Sequence, residues 1–304
     1  LINNLESPCV FYIEISQVIL VFYLKTLSLI NLLFHSMNLS FKNKTVWIIG
    51  ASSGIGKALA IHLNQLNAKI ILSSRREDEL LAIQKSASYP ENIHILPLDL
   101  FDFSSFQKKT AQAFSFYNTI DFVFLNGGTS SRGSVSQTLL DVQINLMNLN
   151  YFSYVGLTKE ILPFFEKQHS GHFIITSSVM GKISTPNRSA YAASKHALHG
   201  FFDSLRAEVF ENNIAVTLLT PGHISTDISL HTLTADGTPK MERNPVHEKG
   251  LSAEKAAKQI IKAVIRKKKE VYIGKKISQD YISLFVFRFF PNLFHRIIRN
   301  FRPE

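Results

Sequence analysis

Residues 45–66 read TVWIIGASSGIGKALAIHLNQL, and this stretch decides the fold. Thr45–Ile49 is a short run of β-branched and aromatic residues with no polar alternation, the pattern of a strand buried on both faces. It runs into Gly50-Ala51-Ser52-Ser53-Gly54-Ile55-Gly56, and Lys57–Leu66 then carries apolar residues at helical spacing. A glycine-rich turn between strand and helix lets backbone approach a phosphate, and the helix N-terminus favours the negative charge. Gly50, Ser52, Ser53, Gly54, Ile55 and Gly56 are therefore candidate binding residues for a dinucleotide.

Outward from that turn the same unit recurs. Lys69–Ser73, Ile93–Leu98, Asp121–Leu125, His172–Thr176, Ala215–Leu219 and a short Val271–Ile273 read as strands. Helical patterns separate them over about 77–88, 103–116, 139–150 with a long one continuing to 167, from Ser189 onward, and 253–265. Strict alternation of this kind predicts an α/β fold: a doubly wound parallel sheet, Rossmann-type, three layers α/β/α, in a single domain. Ligands in such sheets sit beyond the carboxyl ends of the strands. Every unusual turn falls there: Ser74-Arg75-Arg76, Asp99-Leu100, Asn126-Gly127-Gly128, Ser177-Ser178 and Pro221-Gly222. The less regular 223–250 is expected to form a lid.

Tyr191 and Lys195 stand four residues apart in SAYAASKHALHG, one turn apart on one face of a thin, alanine-rich helix. A free tyrosine titrates near pH ~10, and an ammonium one turn away favours the phenolate and lowers that value. A phenol tuned in this way hands a proton to a carbonyl oxygen.

The bulk numbers narrow the classes. The chain has 304 residues, 45% hydrophobic, enough for one large α/β domain. Its one cysteine, Cys9, excludes a disulfide framework within the chain and fits a reducing compartment, so the expected location is cytoplasmic. No His or Asp/Glu cluster has metal-ligand spacing, and no metal is expected. Of the net charge of +10, residues 254–304 contribute +9, from thirteen Lys or Arg against four Asp or Glu. No nucleic-acid motif accompanies this charge, and a run such as Arg266-Lys267-Lys268-Lys269 complements a helix C-terminus instead.

The two ends differ from the rest. Residues 1–36 hold an apolar run, Ile15–Leu24 and Leu27–Phe34, and the first methionine is Met37. Three readings compete for this extension: a membrane anchor, an extra helix, or upstream sequence translated ahead of a start at Met37. The restart at Met37-Asn38-Leu39-Ser40 makes the third the expectation, with the domain running over 37–280. Residues 281–304 form a basic, aromatic-rich tail in which 292–302 reads as a short amphipathic helix. It is expected either to dock on a membrane surface or to pack on the pocket or a subunit interface.

Taken in order, Gly50-x-x-x-Gly54-x-Gly56, Asp99, Asn126-Gly127-Gly128, Asn150, Ser178, Tyr191-x-x-x-Lys195 and Pro221-Gly222 form one constellation. Over residues 39–274 the chain resembles the short-chain dehydrogenases/reductases. The segments SSVMGKISTPNRSAYAASKHALHGFFDSLRAE and TPGHISTDISL look most like the branch called dehydrogenase/reductase member 7 and its bacterial relatives. Two departures stand out: Ile49 replaces a usual threonine, and Leu125-Asn126-Gly127-Gly128 replaces the usual Asn-Asn-Ala-Gly.

The resemblance implies that Tyr191 is the general acid of carbonyl reduction. Lys195 would lower its pKa and hold the nicotinamide ribose. Ser178 would polarise the substrate oxygen, and Asn150, in a kinked helix, would carry a water linking Lys195 to solvent. Asn126 would tie the central strands, and Asp99 with Leu100 would meet the adenine. No carboxylate ends the second strand, so NADP(H) is the expected cofactor, with Arg75 as chief contact and Arg76 beside it. The expected partner is a small hydrophobic carbonyl or alcohol, and the expected assembly a homo-oligomer, dimer or tetramer. The alternative is a non-catalytic dinucleotide-binding or regulatory protein on the same fold. It would need a lesion in the catalytic set, and none is visible.

Overall fold

The computed structural model describes residues 41–242 and 248–301. The expectations for residues 1–36 and Met37 lie outside the described residues, as do 243–247 of the lid and Arg302–Glu304.

The first strand, β1 (Thr45–Ile49), is buried along its whole length. It pairs in parallel with β2 (Lys69–Ser73) on one side and β4 (Phe122–Leu125) on the other. β2 continues to β3 (Ile93–Ile95), and β4 to β5 (Gly171–Thr176) and β6 (Ile214–Pro221). Two short strands, β7 (Ile224–Ser225) and β8 (Leu251–Ser252), pair beside the sheet, and β9 (Glu270–Ile273) closes its far edge. The seven-stranded order is β3-β2-β1-β4-β5-β6-β9. The chain reverses direction across the sheet between β1 and β4, and the carboxyl ends of those two strands border the crevice that such a switch point leaves.

Strand residues alternate between two helical layers because successive side chains point to opposite faces. Val46, Ile48, Ile70 and Leu72 pack with α1 (Gly54–Gln65), α2 (Glu77–Lys85) and α7 (Ala253–Ile265). Trp47, Ile49 and Ile71 pack with α3 (Phe106–Tyr117), α5 (Ser153–Lys167) and α6 (Ser189–Glu208). The Trp47 indole finds its partner inside this core, donating to Ser73 Oγ at 2.9 Å.

Three boundaries differ from the sequence reading, each for a local reason. β3 stops at Ile95 because Pro97 has no N–H, although the flanking Leu96 and Leu98 amides still donate to Leu72 and Ser74. The helix expected over 139–150 stops short: α4 (Leu140–Met147) and α5 are joined by a π-turn at Asn148–Phe152, the form taken by the kink expected at Asn150. The chain end forms two helices where one was expected. α8 (Gln279–Phe289) is capped by Ser278 Oγ, which accepts from the Tyr281 amide, and α9 (Pro291–Arg299) begins at the proline that broke the pattern.

Candidate active site

The site assembles at the carboxyl ends of β1, β4, β5 and β6. At the end of β1, Gly50 takes φ +85°, a left-handed conformation that favours glycine. A Cβ on Gly56 would lie 2.0 Å from the Gly50 carbonyl oxygen, so α1 starts against the turn itself. This cradle leaves backbone, not side chains, facing the crevice, which fits a pyrophosphate at the helix N-terminus. Asn126 locks it: Nδ2 donates to the Gly50 carbonyl at 3.2 Å, and Oδ1 accepts from Thr176 Oγ1 at 2.9 Å. One side chain thus ties the ends of β1, β4 and β5, the role expected for it.

Beyond β2, Arg76 Nη2 donates to Ser52 Oγ at 2.9 Å, while Arg75 is exposed at the start of α2. The guanidinium brought onto the glycine loop is therefore that of Arg76, with Arg75 beside it open to solvent. Asp99 Oδ1 accepts from the Phe101 amide at 3.0 Å, which fixes the turn after β3. A Cβ on Gly127 would reach 2.5 Å from Leu100 and 3.7 Å from Gly50 Cα, so Leu100, Gly127 and Gly50 adjoin.

Next to this cradle lies a cavity of about 790 Å³, lined by Ser178, Tyr191, Lys195, Asn126, Pro221 and Gly222 among others. Ser178 opens a 3-10 turn after β5, and its Oγ accepts from the Met180 amide at 3.1 Å. Tyr191 and Lys195 come from the first turns of α6. Lys195 is 4% exposed; its Nζ donates to the Thr176 carbonyl at 2.9 Å and stands 5.9 Å from the centre of the Tyr191 ring. Burial pushes Lys195 down to about 7.

The pKa of Tyr191 departs from the expectation. Burial raises the phenol above its ordinary value, while a hydrogen bond with Ser178 and the charge of Arg188 pull it down. The net shift is upward, not the lowering expected from Lys195, because burial of the phenol outweighs both of those contributions. The nearby cation acting on the phenol is Arg188, three residues earlier on the helix. Its Nη1 donates to Ser130 Oγ at 2.6 Å and to the Ser131 carbonyl at 3.0 Å, and burial brings it down to about 10. The sequence reading passed over Arg188; its i, i+3 spacing to Tyr191 was the available signal.

Asn150 sits behind the cavity wall, fully buried in the π-turn. Its Nδ2 donates to the Thr129 carbonyl and to Ser194 Oγ, both at 3.0 Å, and its Oδ1 accepts from the Thr129 amide at 3.1 Å. The extra residue in the turn aims the amide at the β4 loop, a common use of π-bulges. Among the described residues no group of His, Cys, Asp or Glu could hold a metal ion.

The roof comes partly from the chain end, a contribution the sequence reading left open. Val286, Phe294 and Ile298 of α8 and α9 line the same cavity as Tyr191, together with Thr226 and Ile228 of the lid. Asp280, in the first turn of α8, accepts from the His223 amide at 2.8 Å and lies 2.7 Å from His223 Nδ1. This joint pins the roof to the loop that follows Pro221-Gly222.

Comparison with known proteins agrees with this arrangement. A sequence profile of the short chain dehydrogenases matches residues 44–236. The dehydrogenase/reductase SDR family protein 7-like of Drosophila melanogaster is 37% identical over 283 residues, covering 90% of this chain and 86% of that protein. The dehydrogenase/reductase SDR family member 7B of Mus musculus is 36% identical over 262 residues, covering 84% and 80%. Among solved structures, a short chain dehydrogenase/reductase from Burkholderia phymatum in complex with NAD superposes with a TM-score of 0.72 at 20% identity, covering 87% of this chain and 98% of that one. One from Burkholderia cenocepacia in complex with NADP gives 0.69 at 18%, covering 86% and 99%. The strand order, the glycine cradle and these relatives lead to one conclusion: the chain belongs to the short-chain dehydrogenase/reductase family of oxidoreductases, in the dehydrogenase/reductase member 7 branch.

Proposed function

We propose that this protein is an NADP(H)-dependent reductase of a ketone or aldehyde borne by a hydrophobic small molecule. The observation that carries the reading is the convergence of Ser178 and Tyr191 on one largely apolar cavity beside the glycine cradle. The Gly50–Gly56 cradle would hold a reduced nicotinamide dinucleotide, which would supply the hydride. As negative charge builds on the substrate oxygen, preorganised donors there lower the barrier. Ser178 holds that oxygen, and Tyr191 delivers the proton. The raised pKa keeps the Tyr191 phenol protonated at neutral pH but makes it a weaker acid, and Arg188 with Ser178 offsets this by steadying the phenolate left behind. Lys195 replenishes the proton and holds the ribose, and Asn150 fixes the Thr129 and Ser194 groups around it.

NADP(H) is favoured over NAD(H) by Arg75 and Arg76 at the end of β2, where no carboxylate precedes Glu77. Exposed Leu139, Leu140, Ile144 and Phe152 around α4 support a homo-oligomer. A lone cysteine, Cys9, supports a reducing, cytoplasmic setting.

The test is NADPH oxidation against a panel of apolar ketones and aldehydes, with Tyr191→Phe as control. Turnover that survives in the phenylalanine variant within tenfold would remove Tyr191 from the proton step. A wild-type protein that binds NADPH but reduces nothing in the panel would favour the non-catalytic alternative.

A further inference from the structure

The helices α8 and α9 have two apolar faces. Inward, Leu284, Val286, Phe287, Phe294 and Ile298 pack around Val179 and Ile183, over the cavity. Outward, Ile282, Phe285, Phe289, Phe290, Leu293 and Ile297 are each between 49% and 57% exposed. Their positions follow i, i+3, i+7 on each helix, so each set forms a stripe and not a scatter. Exposed aromatic and aliphatic groups at this density mark a contact surface.

Charge says what kind of surface. Between residues 281 and 301 there are three arginines, Arg288, Arg296 and Arg299, all exposed, and no acidic residue. A two-fold contact between copies of this face would set arginine against arginine. An anionic lipid interface accepts both the phenylalanines and the guanidinium groups. No described helix is long and apolar enough to cross a membrane, so the contact is in the surface plane. Ile282 and Ile297 also line the cavity, so the exposed face forms part of the cavity's rim.

We propose that α8 and α9 lie on an anionic lipid surface and that the pocket is filled directly from the lipid, past Ile282 and Ile297. Docking stands on the exposed face alone; filling rests on the reductase reading above.

The experiment is hydrogen–deuterium exchange of the full chain with vesicles of phosphatidylcholine alone or mixed with phosphatidylserine. Peptides across 279–301 gain protection with the mixed vesicles and lose that gain in high salt. Phe285→Ser/Phe289→Ser/Leu293→Ser, at sites exposed and outside the cavity lining, keeps its melting temperature and abolishes the protection. Arg288→Gln/Arg296→Gln weakens binding to the mixed vesicles by about 30-fold, at about fivefold per arginine. Both variants reduce a water-soluble ketone like wild type but lose rate on a ketone dissolved in vesicles.

Vesicle protection confined to other segments overturns the proposal, as does lipid binding unchanged in the serine variant. Protection of 279–301 that needs no vesicles and grows with protein concentration assigns the face to a second copy and also overturns it. If wild type reduces neither ketone while 279–301 is still protected, the reductase reading fails and docking survives.

Discussion

Asn126→Ala tests whether the site is held together at the sheet end as described. The substitution removes two hydrogen bonds, to the Gly50 carbonyl at 3.2 Å and from Thr176 Oγ1 at 2.9 Å, and leaves the strand pairing of β4 intact. At about 1 kcal/mol net for each bond, the loss is about 2 kcal/mol. For a domain of this size that lowers the melting temperature by about 4–8 °C. Thr176→Val removes only one of the two bonds and costs about half as much. Because the pair shares that bond, the double variant falls short of additivity by about 1 kcal/mol. Urea unfolding of the four proteins measures all three quantities. An Asn126→Ala loss under about 0.5 kcal/mol, or strict additivity, would refute the view that this side chain ties the strand ends.

Other expectations are as direct. Tyr191→Phe lowers turnover at least about 100-fold, the scale of general acid catalysis, while NADPH affinity measured by fluorescence titration barely changes. Arg75→Asp and Arg76→Asp each shift the ratio of NADPH to NADH affinity toward NADH, and the Arg76 change also releases Ser52; ratios unaltered in both variants would sink the NADP assignment. Acid weakens the fold through His172 and His199, whose burial brings them to about 3 and about 4. Both folded values lie below the ordinary one, so the unfolded chain takes up protons that the folded chain refuses, and stability falls as pH drops below about 6.5. Between pH 7 and 5 each histidine accounts for about 2 kcal/mol, and His199→Leu removes its share from the pH dependence of urea midpoints.

Much of this was legible in the sequence, because the strands are buried on both faces and so carry unbroken apolar runs. Thr45–Ile49, Lys69–Ser73 and Ala253–Ile265 come out of the chain with the bounds the structure gives them. The chemistry-bearing turns were legible because each needs an unusual residue at a strand's end. What escaped depended on contacts distant in sequence. A kink at Asn150 was expected from the resemblance, but its form as a π-turn at Asn148–Phe152, with Thr129 and Ser194 gripping Asn150, is not encoded by local propensity. Arg76 rather than Arg75 reaches Ser52, a choice between neighbours made by a loop twenty-four residues away. The direction of the Tyr191 shift required knowing how deeply the phenol itself is buried. In the tail, the sequence reading found a helix over 292–302, matched by Pro291–Arg299, but missed the helix ahead of it over Gln279–Phe289.

The joint between His223 and Asp280 has a consequence for how such a protein diversifies. The floor of the pocket belongs to the sheet, whose strand ends are fixed by strand pairing and by the Asn126 hydrogen bonds. The roof belongs to α8 and α9, held at their start by the Asp280–His223 and Ser278–Tyr272 hydrogen bonds and along their length by apolar contact. Changes in α8 and α9 therefore reshape what the pocket admits without disturbing the reacting groups beneath. The two parts are thus separable by substitution: Phe294 and Ile298 shape the pocket from above without touching the strand ends that hold Ser178 and Asn126.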